Sequence, residues 1–149
     1  MITVYHAAKN VRNSLLNHKA VMPWPPYATD LKDENILLPN SVYNLFAWIL
    51  TDDNDFHSPY GKDGKVDIKD PSVKRLVQSF GQNLLYAVSK GSQKAPKHVA
   101  LPLTVKNLTG SKEVITLLNR FGHGISYDQV LQIETTLAGN AGKRCGPGQ

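Results

Sequence analysis

The sequence predicts an all-α fold: a single compact domain of five or six helices, with an irregular Pro-rich and acidic-loop N-terminal half. Three observations predict it. Apolar residues recur at spacings of three and four through most of the chain, candidate caps and terminators stand where those stripes start and stop, and strand-like signals are confined to a hairpin expected near Asp63-Gly64. The chain has 149 residues, 41% of them hydrophobic, enough for a core that needs neither disulfide nor metal. The helical domain is expected over residues 1–139, followed by a flexible Gly-rich basic tail over 140–149.

Val4, Ala7, Ala8, Val11 and Leu15 follow Thr3, a candidate N-cap, at helical spacing, so residues 3–18 predict an amphipathic helix. Val21-Met22-Pro23-Trp24-Pro25-Pro26-Tyr27 predicts a stiff connector, because its prolines remove backbone donors and push their predecessors into extended conformations. Its Trp24 and Tyr27 are expected to pin it to the core. Val42, Leu45, Phe46 and Ile49, behind Pro39-Asn40-Ser41, mark a second helix ending near Asp52, with Trp48 beside the stripe. Asp70 as N-cap and Pro71 at the first helical position open the third, whose Val73, Leu76, Val77, Phe80, Leu84 and Val88 run to Gly91. Gly81 within it costs about 1 kcal/mol relative to Ala, tolerable where a neighbour packs closely.

Pro96 fits the first position of a helix over 96–108, which Pro102 must kink or shorten to begin near Leu101. Ser111 opens the next, through Val114, Ile115, Leu117, Leu118 and Phe121, which Gly122 closes in the left-handed conformation. Ser126 and Gln129 form a capping box for the last, with Tyr127, Val130, Leu131 and Leu137 on its apolar face, Ile133 near it, and Gly139 as terminator. The expected core is Val73, Leu76, Val77, Phe80, Leu84, Leu117, Leu118, Phe121, Val130 and Leu131.

Residues 1–70 carry 7 Lys and Arg against 9 Asp and Glu, while residues 71–149 carry 10 against 3. A basic half favours a polyanionic partner and also serves plain solubility. The single Cys, Cys145, allows no intrachain disulfide and leaves thiolate-rich zinc sites without ligands. No basic-then-apolar leader and no bilayer-length apolar run is present, so an intracellular protein, cytoplasmic or nuclear, with no membrane association is expected. Gly142-Lys143-Arg144 resembles a dibasic processing signal and, without a leader, is expected to be a frayed tail.

No spacing completes a catalytic, cofactor or metal signature, so no catalytic residue, cofactor or metal is assigned. Setting Gly64 at the invariant glycine of an EF-hand loop places Asp63, Val66, Asp67 and Asp70 at its fifth, eighth, ninth and twelfth positions. Pro59 and Gly61 then stand where the first and third carboxylates belong, and a solvated acidic loop is expected instead. The helices around Gly122 have a helix-turn-helix outline, but Leu118 stands at the crossing and the second helix offers Asp128, Gln129, Gln132 and Glu134 rather than cations. Nonspecific backbone contacts to a nucleic acid would instead use Lys90, Lys94, Lys97, His98, Lys106, Lys112, Arg120 and His123. A protein partner or self-association, through the Trp24, Tyr27 and Trp48 surface, demands no missing residue and is the leading expectation.

Two resemblances enter here. His98 and Gly122-His123 resemble the C-terminal part of tyrosine recombinases, where histidines and an Arg line the phosphate before a Tyr attacks it. Leu101 occupies the Arg position, Gln132 or Ile133 the Tyr position, and Tyr127 comes too early, so the resemblance implies at most a decayed fragment. The runs Phe80 to Ser89, Ala95 to Val99, Leu108 to Glu113 and Leu117 to His123 resemble a segment of multi-copy animal proteins associated with mobile elements. That resemblance implies a mobile-element origin and supplies no catalytic residue. Gly124 departs from the Cys of that pattern, which leaves no thiol to act there.

Overall fold

A computed structural model describes residues 2–18, 24–26 and 38–144, with side chains to residue 139. Val21 to Pro23 and Tyr27 of the predicted connector, and Cys145 with the rest of 145–149, lie outside the described residues. Among the described residues six helices and one hairpin follow in order: α1 (Ile2–Asn17), α2 (Asn40–Leu50), β1 (Phe56–Ser58), β2 (Asp67–Ile68), α3 (Pro71–Val88), α4 (Pro96–Thr109), α5 (Lys112–Arg120) and α6 (Tyr127–Arg144). The predicted all-α class holds. None of the described helices is long and apolar enough to cross a membrane. The described chain divides into two compact units, residues 2–18 with 38–93, and residues 24–26 with 94–144.

The first unit contains α1, α2, the hairpin and α3. Asp70 caps α3, its carboxylate accepting the Ser72 amide at 2.9 Å with Pro71 at the first helical position, as the sequence predicts. Helix α3 closes in a Schellman turn: the Lys90 amide donates to the Ala87 carbonyl at 3.1 Å and that of Gly91 to the Tyr86 carbonyl at 2.8 Å. Lys90, with φ 55°, takes the left-handed position one residue before the predicted terminator Gly91.

The acidic segment is more than a solvated loop. Val66 and Ile68, alternating with Lys65, Asp67 and Lys69, join Leu38, Tyr43, Ala47 and Val77 in the core. Two asparagines one turn apart on α2 fix the hairpin's turn: Asn40 Nδ2 donates to the Asp63 carbonyl at 3.0 Å and Asn44 Nδ2 to that of Gly64 at 2.8 Å. The buried Asn44 also accepts the Val66 amide at 2.9 Å through Oδ1. A second cluster joins Leu15 of α1 to Val42 and Leu85. Leu15 is the only buried residue of α1; Val4, Ala7 and Ala8 of the predicted stripe stay exposed, and Thr3 lies inside the helix rather than at its cap.

The expected core needs correction in both units. On α3, Val77, Gly81, Gln82 and Leu85 are buried, Val73 and Leu84 are half-buried, and Leu76 and Phe80 are exposed. The buried face is turned toward Gly81 because the missing Cβ there leaves room for Leu38, whose Cδ2 would lie 3.2 Å from an added Cβ and whose Cδ1 would overlap it. On α2, Val42, Tyr43, Asn44 and Ala47 are buried and Ile49 is left outside.

The second unit is built from α4, α5 and α6 around Val99, Ile115, Ile125, Val130 and Ile133. Of the residues expected in this core only Val130 is fully buried; Leu118 is half-buried, and Leu117, Phe121 and Leu131 are exposed. The Ser126 and Gln129 capping box is formed, at 3.1 and 3.3 Å. Ile125 before it and Val130 after it share the core, the arrangement of a hydrophobic staple. Gly139 does not terminate α6, which continues to Arg144. An established helix propagates through one glycine for about 1 kcal/mol. In the connector Pro26 is buried, while Trp24 stays partly exposed.

Candidate functional site

The geometry of the second unit starts from Pro102. Helix α4 runs through it from Pro96 to Thr109, neither shortened nor ended. Proline has no amide hydrogen, so the carbonyl of His98, four residues earlier, loses its helical donor. The Ile125 amide supplies one at 2.9 Å. Two further bonds tie the α5–α6 turn down: His98 Nε2 donates to the Gly122 carbonyl at 2.9 Å, and Asn119 Nδ2 to the Gly124 carbonyl at 2.9 Å. Gly122, with φ 77°, closes α5 in a Schellman turn in which the His123 amide reaches the Leu118 carbonyl at 2.8 Å.

Gly124 presses against the Pro102 ring. An added Cβ would overlap Cγ and stand 3.2 Å from Cδ. Close approach, rather than chemistry at a thiol, explains the residue at 124. His98 is fully buried, and burial pushes its imidazole down to about 4, with the charges of Lys97 and His123 acting in the same direction. It is therefore neutral at pH 7, held as the Nε2–H form that a carbonyl partner requires. His98 is corrected from a candidate phosphate contact to a structural clamp, because no part of it reaches solvent.

The remaining candidate cations are divided between the units. Lys90 belongs to the first unit and the other six to the second. Lys94 Nζ stands 4.8 Å from the centroid of the Trp24 ring, and Lys112 Nζ 5.4 Å from that of Tyr127. Lys106 pairs with Glu134 at 3.0 Å, which holds its ammonium above the ordinary lysine range. Burial pulls Lys97 below that range. Arg120 and His123 are exposed near the α5–α6 turn. Counted over the described residues, the first unit has eight Lys and Arg against six Asp and Glu, and the second seven against three. Neither is acidic, since Lys74, Arg75 and Lys90 of the basic half of the sequence stand in the first unit.

The surface that sequence reasoning missed is on α5. Lys112, Ile115 and Asn119, spaced by three and four, share the side turned toward the unit: Lys112 on Tyr127, Ile115 in the core, Asn119 on the Gly124 carbonyl. The opposite side carries Val114, Leu117 and Phe121, which are 41%, 52% and 69% exposed. Glu113 and Arg120 flank that stripe and are also exposed. The sequence signal was an apolar set wider than one contact needs: Val114, Ile115, Leu117 and Leu118, with Phe121 at the C-cap, span about 160° around the helix axis, against a stripe of roughly 100° that one neighbour covers. Trp24 and Trp48, the aromatics expected to form a surface, fall in different units, and Trp48 meets Tyr60 edge-to-face at 5.9 Å.

Among the described residues no three His, Cys, Asp or Glu side chains come together as a metal site. Comparison of the chain with family models, with curated proteins and with solved structures gives no match.

Proposed function

We propose that the chain is a non-enzymatic helical interaction or assembly module, derived from a mobile-element protein, that binds protein through the outer face of α5. The exposure of Leu117 and Phe121 carries this reading. A short helix that buries one apolar residue and leaves three in water loses stabilisation that a polar face would not forgo, and such stripes mark contact surfaces. The mobile-element origin rests on the resemblance of residues 80–123. The nucleic-acid reading draws less support, because Lys94, Lys106 and Lys112 are engaged by Trp24, Glu134 and Tyr127.

The test is photocrosslinking from a benzophenone side chain placed at position 121 of the full chain, with and without Leu117→Ser. A specific adduct that Leu117→Ser removes, while the far-ultraviolet dichroism stays unchanged, supports the reading. Adducts that are absent, or indifferent to Leu117→Ser, refute it.

A further inference from the structure

We infer that the outer face of α5 pairs with the same face of a second copy of this chain, antiparallel across a two-fold axis near Leu117. The inference rests on the reading of α5 as a contact surface and names its occupant from the charges that border it. Glu113 and Arg120 are seven residues apart, about 10 Å along the axis, and so lie on the same flank of the Val114, Leu117 and Phe121 stripe. A two-fold axis perpendicular to two antiparallel helices brings like flank to like flank in reversed order. Glu113 of one copy then stands beside Arg120 of the other, twice per pair, with Leu117 against its own mate. Parallel pairing brings opposite flanks together and leaves both charges unmatched.

The other charged residue of the helix, Lys112, is turned to Tyr127 and does not border the stripe. Glu113 is held near the stripe's start by Ser111 Oγ, which donates to Oε2 at 3.3 Å. The surface is small. Val114, Leu117 and Phe121 leave about 300 Å² of side chain in water per copy, roughly 600 Å² over a pair, against about 1,200 Å² at the low end of stable interfaces. The pair is accordingly weak and exchanging, formed at high local concentration.

Sedimentation equilibrium of the full chain, from about 10 μM to about 1 mM, tests it. A monomer–dimer equilibrium is expected, weakened at least tenfold by Glu113→Arg or by Arg120→Glu alone. The two single variants mixed together pair at least tenfold better than either alone, and the double variant E113R/R120E regains the affinity of the parent chain. Both substitutions sit on exposed positions, so loss of fold does not imitate this pattern. A chain that stays monomeric to the highest concentration overturns the inference, as does a dimer indifferent to both charge reversals. If the chain is monomeric while position 121 still crosslinks a different protein in a Leu117-dependent manner, self-pairing fails and the interaction-module reading stands.

Discussion

Gly124→Ala is the perturbation that best tests how the second unit is held together. Gly124 has no left-handed φ, so in open space an alanine there would stabilise the protein by about 0.4–1 kcal/mol through the unfolded chain. The site is not open. The new Cβ would overlap Cγ of Pro102, an atom in a ring that cannot rotate away, and overpacking of this kind costs about 1–3 kcal/mol. Relief requires the turn to move off α4, which stretches the Ile125 amide to His98 carbonyl bond and the Asn119 to Gly124 bond, each contributing about 0.5–1.5 kcal/mol. The net expectation is a loss of about 2 kcal/mol, or roughly 4–8 °C in Tm for a chain of this size. Thermal melts by circular dichroism measure it. In a Pro102→Ala background the ring is gone and the amide at 102 can serve the His98 carbonyl, so the cost of Gly124→Ala should fall by about 1 kcal/mol or more. A neutral or stabilising Gly124→Ala, or a strictly additive cycle, would refute this account of the turn.

Three other predictions concern single residues. His98 is neutral when folded, with its pKa lowered from 6.5 to about 4, so the unfolded chain binds the extra proton and stability rises with pH across that window. The contribution is complete above pH 6.5 and falls by about 3 kcal/mol toward pH 4; urea midpoints that stay flat between pH 7 and pH 4.5, or an imidazole titrating near 6.5 by NMR, would contradict it. Lys90→Gly should stabilise the first unit by about 1 kcal/mol, since a side chain at φ 55° pays for a left-handed turn that glycine adopts without strain; an unchanged denaturation midpoint argues against that strain. Asn44→Ala should cost about 2–4 kcal/mol, because it strands the buried Val66 amide as well as the Gly64 carbonyl, whereas Asn40→Ala on the exposed side should cost under about 1 kcal/mol; equal losses would show that burial is not what makes Asn44 matter.

The local features were legible because they are local. Asp70-Pro71, Ser111, and Ser126 with Gln129 each satisfy amide donors within three residues of themselves, so starts of helices can be read without a partner in view. Gly122 and the Asp63-Gly64 turn are legible for the same reason. Where competition is between neighbours along the chain, the sequence decides more loosely: Lys90 takes the left-handed place ahead of Gly91, and α6 runs on through Gly139.

The sequence by itself determined where helices form and that they are amphipathic or broadly apolar, since hydrogen bonding within a turn and the period of side chains along it depend only on neighbours in the chain. Tertiary structure decided which apolar residues are inside. On α3 the room at Gly81 admits Leu38 and draws the buried face away from Leu76 and Phe80; on α5 the pull of Ile115, Asn119 and Lys112 toward α6 leaves Val114, Leu117 and Phe121 in water. Only the fold could make Ile125 the donor that Pro102 withholds from His98, because the two lie 27 residues apart and meet only once α4, α5 and α6 have packed. A helix carrying more apolar surface than one neighbour can cover does not specify from its own residues which side meets that neighbour; the shapes of the elements packed against it do.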